Sequence, residues 1–291
     1  MDAEAPKPPS VGVRIGCSAF VSLLVLGGWW WAVRPLVVRT EHYAIRSSAP
    51  LVATEDTGKV AEIVYTTFAE FMTDLGLTPV AHGRLQMRLY DTRDEFRSAN
   101  GIQGWAEALY RRPVCHQYFA ADKPNPYHWM VHEATHQLAA EVAGLQLPQW
   151  LNEGFAGCFA SGRISGGRLD LDEVDVNTYP AWWIGLIATS GQLEDDKSGG
   201  SVIPLRAIVS GRGGPKLDAR VNLYYLHWWT LVRFLMEEHQ DGLAELLRSK
   251  GDEAAFEKWV GPFDEVEREW YRSVLELKKR LEGVTTPPVR L

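Results

Sequence analysis

Cysteine is scarce: three residues in 291, Cys17, Cys115 and Cys158, with no CxxC spacing. Such a chain is not a disulfide-built scaffold, and zinc held by thiolates is not indicated. Cys115 and Cys158 are either a pair or two buried free thiols, and the sequence leaves both open. Basic runs are missing outside the extreme N-terminus and the net charge is −7, which argues against nucleic acid as a partner. There is no internal repeat. What is present is ordinary for a folded domain, with 46% hydrophobic and 23% charged residues, enough to enclose a buried site.

Long apolar runs are also few. After a polar, Pro-rich tail (1–14), Arg14 is followed by IGCSAFVSLLVLGGWWWAV, nineteen residues without a charge, ending at Arg34. That length crosses a hydrocarbon core of about 30 Å as a helix. Trp29, Trp30 and Trp31 sit at one end of it, where indoles suit the lipid–water boundary. The alternatives are a cleaved signal peptide and a buried helix, but no small-x-small cleavage site follows the run. The expectation is a transmembrane anchor over 15–34 and a domain over 36–285. Lys7 and Arg14 before the run and Arg34 and Arg39 after it nearly balance, so orientation rests on the common use of N-terminal anchors. This places the domain outside the cytoplasm on a single-pass membrane protein.

Beyond residue 35 the patterning predicts strands at 36–48, 84–92 and 113–121 and a helix over 57–76. From Asn125 onward helices are expected at 126–143, 148–161, 178–190, 218–239, 241–250, 252–260 and 263–282. Gly/Ser-rich stretches at 161–167, 198–201 and 210–214 read as loops. Strands first and helices later predict an α+β fold, a small N-terminal strand/helix layer followed by a mainly helical domain.

The sharpest chemical signal is HEATH at 132–136. On a helix, residues four apart share a face, so His132 and His136 can reach one ion while Glu133 stands beside them as a base. Asn125-Pro126 offers a cap and a first helical residue, and Gly144 a stop. A catalytic zinc site needs a third protein ligand. Glu153, in PQWLNEGFAGCFA (148–160), can supply it from a second helix. Its neighbours Gly154, Ala156 and Gly157 would let the two helix backbones approach closely. His128 extends the histidine stripe, but i and i+8 lie about 12 Å apart along a helix, too far to share one ion. The segment PVCHQYFAA is expected to be an edge strand along which an extended peptide lies.

HEATHQ followed by WLNEGFA resembles the gluzincin metallopeptidases, and WLNEGFA is similar to the aminopeptidase-N group. The short spacing, the preceding strand-helix-strand region and the helical tail look more like the small bacterial peptidase MA-like domains. By that resemblance His132, His136 and Glu153 correspond to the zinc ligands and Glu133 to the general base, and a peptide or protein is the implied substrate. Tyr225, in NLYYLHWWTLVRFL, is similar in position to the tyrosine that steadies the oxyanion, with Tyr224 as the alternative register and His227 a weaker candidate. Two departures stand out. The amine-recognising Gly-x-Met-Glu-Asn stretch is replaced by GIQGWAEALYRRP, and the aspartate that follows the third ligand by four residues in thermolysin-like enzymes is Gly157. The implied activity is membrane-anchored, zinc-dependent peptide hydrolysis. The competing expectation is a membrane-tethered binding or assembly protein that keeps the fold without turnover.

Overall fold

The computed structural model describes residues 35–289 apart from 81, 103 and 105, and residues from Val37 onward make one compact unit. Its sheet holds five strands: β1 (Leu36–Arg39), β2 (Tyr43–Ser47), β3 (Leu85–Tyr90), β4 (Ala108–Arg111) and β5 (Val114–Tyr118), in the order β1-β2-β3-β5-β4. β2, β3 and β5 run parallel and β4 antiparallel to β5. The sheet buries one face. Tyr43, Ile45 and Ser47, then Leu85, Met87 and Leu89, then Cys115 and Gln117, alternate inward. Ile45, Met87 and Cys115 pair across three strands in one row.

Two helices cover that face: α1 (Leu51–Asp74), which is the crossover between parallel β2 and β3, and α3 (His128–Glu141). A short helix, α2 (Arg93–Asn100), starts on a Thr92 side-chain cap and ends at Gly101 with a positive φ. α3 is pinned to the sheet by Gln137, whose side-chain amide donates to the carbonyls of Gln86 and Pro113. Next come α4 (Gln149–Ala160), a hairpin of β6 (Gly162–Ser165) and β7 (Arg168–Val174), and a 3-10 turn at Ala181–Leu186. Helices α5 (Leu193–Gly199), α6 (Leu205–Ser210), α7 (Val221–Glu238), α8 (Gln240–Arg248), α9 (Glu253–Trp259) and α10 (Phe263–Leu281) complete the chain. Buried Arg233 on α7 donates to the Leu171 and Asp172 carbonyls and so ties the hairpin to the helical layer.

The α+β class holds, but four expectations need correction. No helix among the described residues is long and apolar enough to cross a membrane, and the expected transmembrane segment 15–34 and tail 1–14 lie outside those residues. The architecture is therefore a mixed sheet with covering helices and no transmembrane helix among the described residues. The strand at 113–121 is not an edge: β5 is hydrogen-bonded on both sides, and β4 is the edge. The helix over 178–190 shrinks to the six-residue 3-10 turn, and a hairpin occupies much of the Gly/Ser loop at 161–167. Cys115 and Cys158 are both buried and free.

Candidate metal centre

α3 begins at His128, after an Asx turn in which the Asn125 side chain accepts from the Tyr127 amide. The cap is thus Tyr127 rather than Asn125. Gly144, in the left-handed region at φ +64°, lets the chain leave the helix, with the Leu145 amide reaching back to the Ala139 carbonyl. Between these ends His132 and His136 turn to one side, their ring centroids 4.7 Å apart. α4 starts after Pro148 and presents Glu153 to the same point.

The donor atoms converge. His132 Nε2 lies 3.1 Å from His136 Nε2 and 3.2 Å from Glu153 Oε2, and His136 Nε2 is 3.6 Å from that oxygen. All three ligand atoms fall within 4.8 Å of one another. Donors held at about 2.0–2.1 Å around a tetrahedral zinc stand roughly 3.3 Å apart, so these spacings fit such an ion. Two ring nitrogens so close cannot both carry a proton, and a shared cation relieves the crowding.

The charges respond to this crowding. Burial alone would raise the Glu153 carboxyl, yet hydrogen bonding and charge from His132 and His136 hold it well below the usual carboxylate range. Burial opposes a charged His136, but pairing with Glu153, the charge of Glu133 and the nearby Asn152 side chain carry it up to about 9. A cation held by these three residues would take the place of that proton and would meet a carboxylate already ionised.

Around the triad is a cavity of about 530 Å³ whose walls include Glu133, Tyr110, Trp129, Asn152 and Tyr225. The Tyr110 main-chain amide, on edge strand β4, donates to Glu133 Oε2 at 2.6 Å. Tyr225 projects from the first turns of α7 with its ring 6.4 Å from that of His132. Burial first, and then the Glu153 charge, push its hydroxyl far above the ordinary value, so it stays a neutral O–H donor. Tyr224 points elsewhere and donates to the Pro215 carbonyl at 2.7 Å. His227 is fully buried between the Ile203 amide and the Leu223 carbonyl, and His128 Nδ1 bonds the Asn125 carbonyl. Neither is within the triad.

Gly154 explains how α7 comes so near. A Cβ there would lie 2.3 Å from the Trp228 carbonyl oxygen, so only glycine admits the contact. The small residue next to Glu153 therefore serves the approach of α4 to α7, not of α4 to α3 as the sequence suggested.

A model of a family described as "Protein of unknown function (DUF1570)" matches residues 128–257. The match is less than half of the chain but takes in α3, α4 and α7, and with them all three donors, Glu133 and Tyr225. No curated protein matches.

The patterning missed the edge of the cleft. GIQGWAEALYRRP contains β4, a four-residue strand too short to show alternation, and the Tyr110 amide has no side-chain signature. Glu107, just before β4, also lines the cavity. Its carboxylate is taken: Arg93 binds both oxygens and the Tyr118 hydroxyl donates at 2.7 Å. Behind two of the lining rings stands Tyr179, centred 5.2 Å from Tyr225 and 5.4 Å from Trp129.

Proposed function

We propose that the protein is a zinc-dependent peptidase whose ion is held by His132, His136 and Glu153. The observation that carries this reading is the spacing of the three donor atoms, tetrahedral in scale, with a carboxylate that binds none of them next in sequence to His132. A zinc ion here would supply Lewis acidity, sharpening a water as nucleophile and polarising a carbonyl. Glu133 accepts the proton of the attacking water and returns it to the leaving amine. The Tyr225 hydroxyl donates to the oxygen on which negative charge develops. Edge strand β4 gives an extended peptide a backbone to pair with along the cavity. With the Glu107 charge consumed by Arg93, no unpaired carboxylate at that position awaits a free amine, which favours internal over amino-terminal cleavage.

The test uses the full chain, metal analysis and a broad peptide library, with Glu133→Gln alongside. One zinc per chain in both proteins and cleavage by the unsubstituted protein alone are expected. Absence of bound zinc, or cleavage undiminished by the substitution, defeats the reading.

A further inference from the structure

The bond between the Tyr110 amide and Glu133 is made by an edge strand, and its direction is informative. Among the described residues β4 pairs only with β5, Tyr110 standing opposite Cys115. An N–H aimed at Glu133 on α3 points away from β5, so it takes nothing from the ladder. In antiparallel pairing a residue turns its N–H and its C=O to the same side, with neighbours alternating. The Tyr110 carbonyl therefore faces the cleft as well, while Leu109 and Arg111 face β5.

The same residue grips α3 a second time. Its phenol donates to Glu141 Oε1 at 2.6 Å, and Arg112 Nε stands 2.8 Å from that oxygen. Glu133 and Glu141 are two turns apart, roughly 12 Å along the axis. Tyr110 thus fastens the edge strand along the ligand helix at two points, main chain at the cavity end and side chain at the far end.

We infer that Tyr110 is a positioning residue for Glu133. Its amide holds one carboxylate oxygen against the sheet edge, so that the other is presented to the reacting water, and the phenol–Glu141 bond keeps the strand in register. A glutamate has three side-chain torsions and samples many orientations when untethered. A charge-assisted bond from a main-chain donor, itself fixed in a sheet, removes that freedom at little cost during turnover. The tether also sets what a peptide can use: the Tyr110 carbonyl stays open to a bound backbone while its amide does not. This inference rests on Glu133 acting as the base.

Two measurements test it. Amide hydrogen exchange in the full chain reads the bond without substrate. The Tyr110 amide should exchange at least about tenfold faster in Glu133→Ala than in the unsubstituted protein, with Leu109 and Arg111 unchanged. Equal exchange at Tyr110 overturns the inference. The second compares Tyr110→Pro, which lacks the donor, with Tyr110→Phe, which keeps it. Proline should lower kcat by about 10- to 100-fold with KM and zinc content unchanged, and phenylalanine by no more than about threefold. Equal losses in the two variants, or a loss confined to KM, overturn it. Where the proline variant fails to fold, the exchange comparison decides. A chain that cleaves no peptide yet shows the expected exchange difference fails the peptidase reading and not the tether.

Discussion

Glu153 faces two imidazoles and a tyrosine, so neighbouring substitutions should separate holding a metal from using it. Tyr225→Phe removes a hydroxyl that lies against Glu153 and that the proposed reaction would use to donate to developing charge. The expected result is a kcat lower by about 100- to 1000-fold, as when an oxyanion donor is lost, with zinc content unchanged. Tyr224→Phe is the control. Its hydroxyl is committed to the Pro215 carbonyl, so it should cost about 1 kcal/mol of stability and leave kcat within a few-fold. Steady-state kinetics with metal analysis distinguishes the two; a large kcat effect from Tyr224 instead would place the donor wrongly. At this scale the sequence was informative where side chains converge. Four-residue spacing on a helix forces His132 and His136 to one side, and Glu153 followed from the need for a third ligand. It was silent on Tyr110, because a peptide N–H is present at nearly every residue and only the fold selects one.

Among the elements, α4 has neighbours on both sides, α3 through the His132–His136–Glu153 cluster and α7 through Gly154. Gly154→Ala places a methyl 2.3 Å from the Trp228 carbonyl oxygen and 2.5 Å from a Val232 methyl. Backbone cannot swing aside as a flexible side chain can, so α7 must shift. The expected cost is about 1–3 kcal/mol in denaturant unfolding, and because Tyr225 rides on α7, kcat should fall while zinc stays bound. Gly157→Ala, where the nearest neighbour stands at an ordinary 3.5 Å, should be tolerated. Equal destabilisation by both would show that the α4–α7 approach does not depend on Gly154. Helices with strong periodicity were legible to within a few residues: 218–239 became α7 (Val221–Glu238) and 263–282 became α10 (Phe263–Leu281). Several of the short elements were not. β4, the β6–β7 hairpin, α5 and α6 each span too few residues for a period to emerge, and tertiary contacts decide them.

Over the whole molecule, the helical layer behind the site is locked by a histidine that must remain neutral. His227 on α7 accepts from the Ile203 amide at 2.9 Å and gives its Nδ1 proton to the Leu223 carbonyl, with the Trp270 ring of α10 centred 5.3 Å away. Protonating Nε2 would abolish the Ile203 bond and bury a charge. Burial accordingly pushes His227 down to about 4, against the modest opposing pull of the Leu223 carbonyl. Between that value and about 6.5, the unfolded chain holds a proton on this residue that the folded chain does not. Stability from this residue is therefore complete above about pH 6.5 and is lost progressively as pH falls toward 4. At about 1.4 kcal/mol per pH unit over roughly 2.5 units, the loss is on the order of 3 kcal/mol. His227→Gln keeps an acceptor but cannot titrate. Urea unfolding of both proteins from pH 7 to pH 4.5 should show the unsubstituted chain losing more stability than the variant over that range. Parallel losses would mean that His227 is charged in the folded state or exposed to water, and that the core joining α7, α10 and the 200–204 segment is not closed around it.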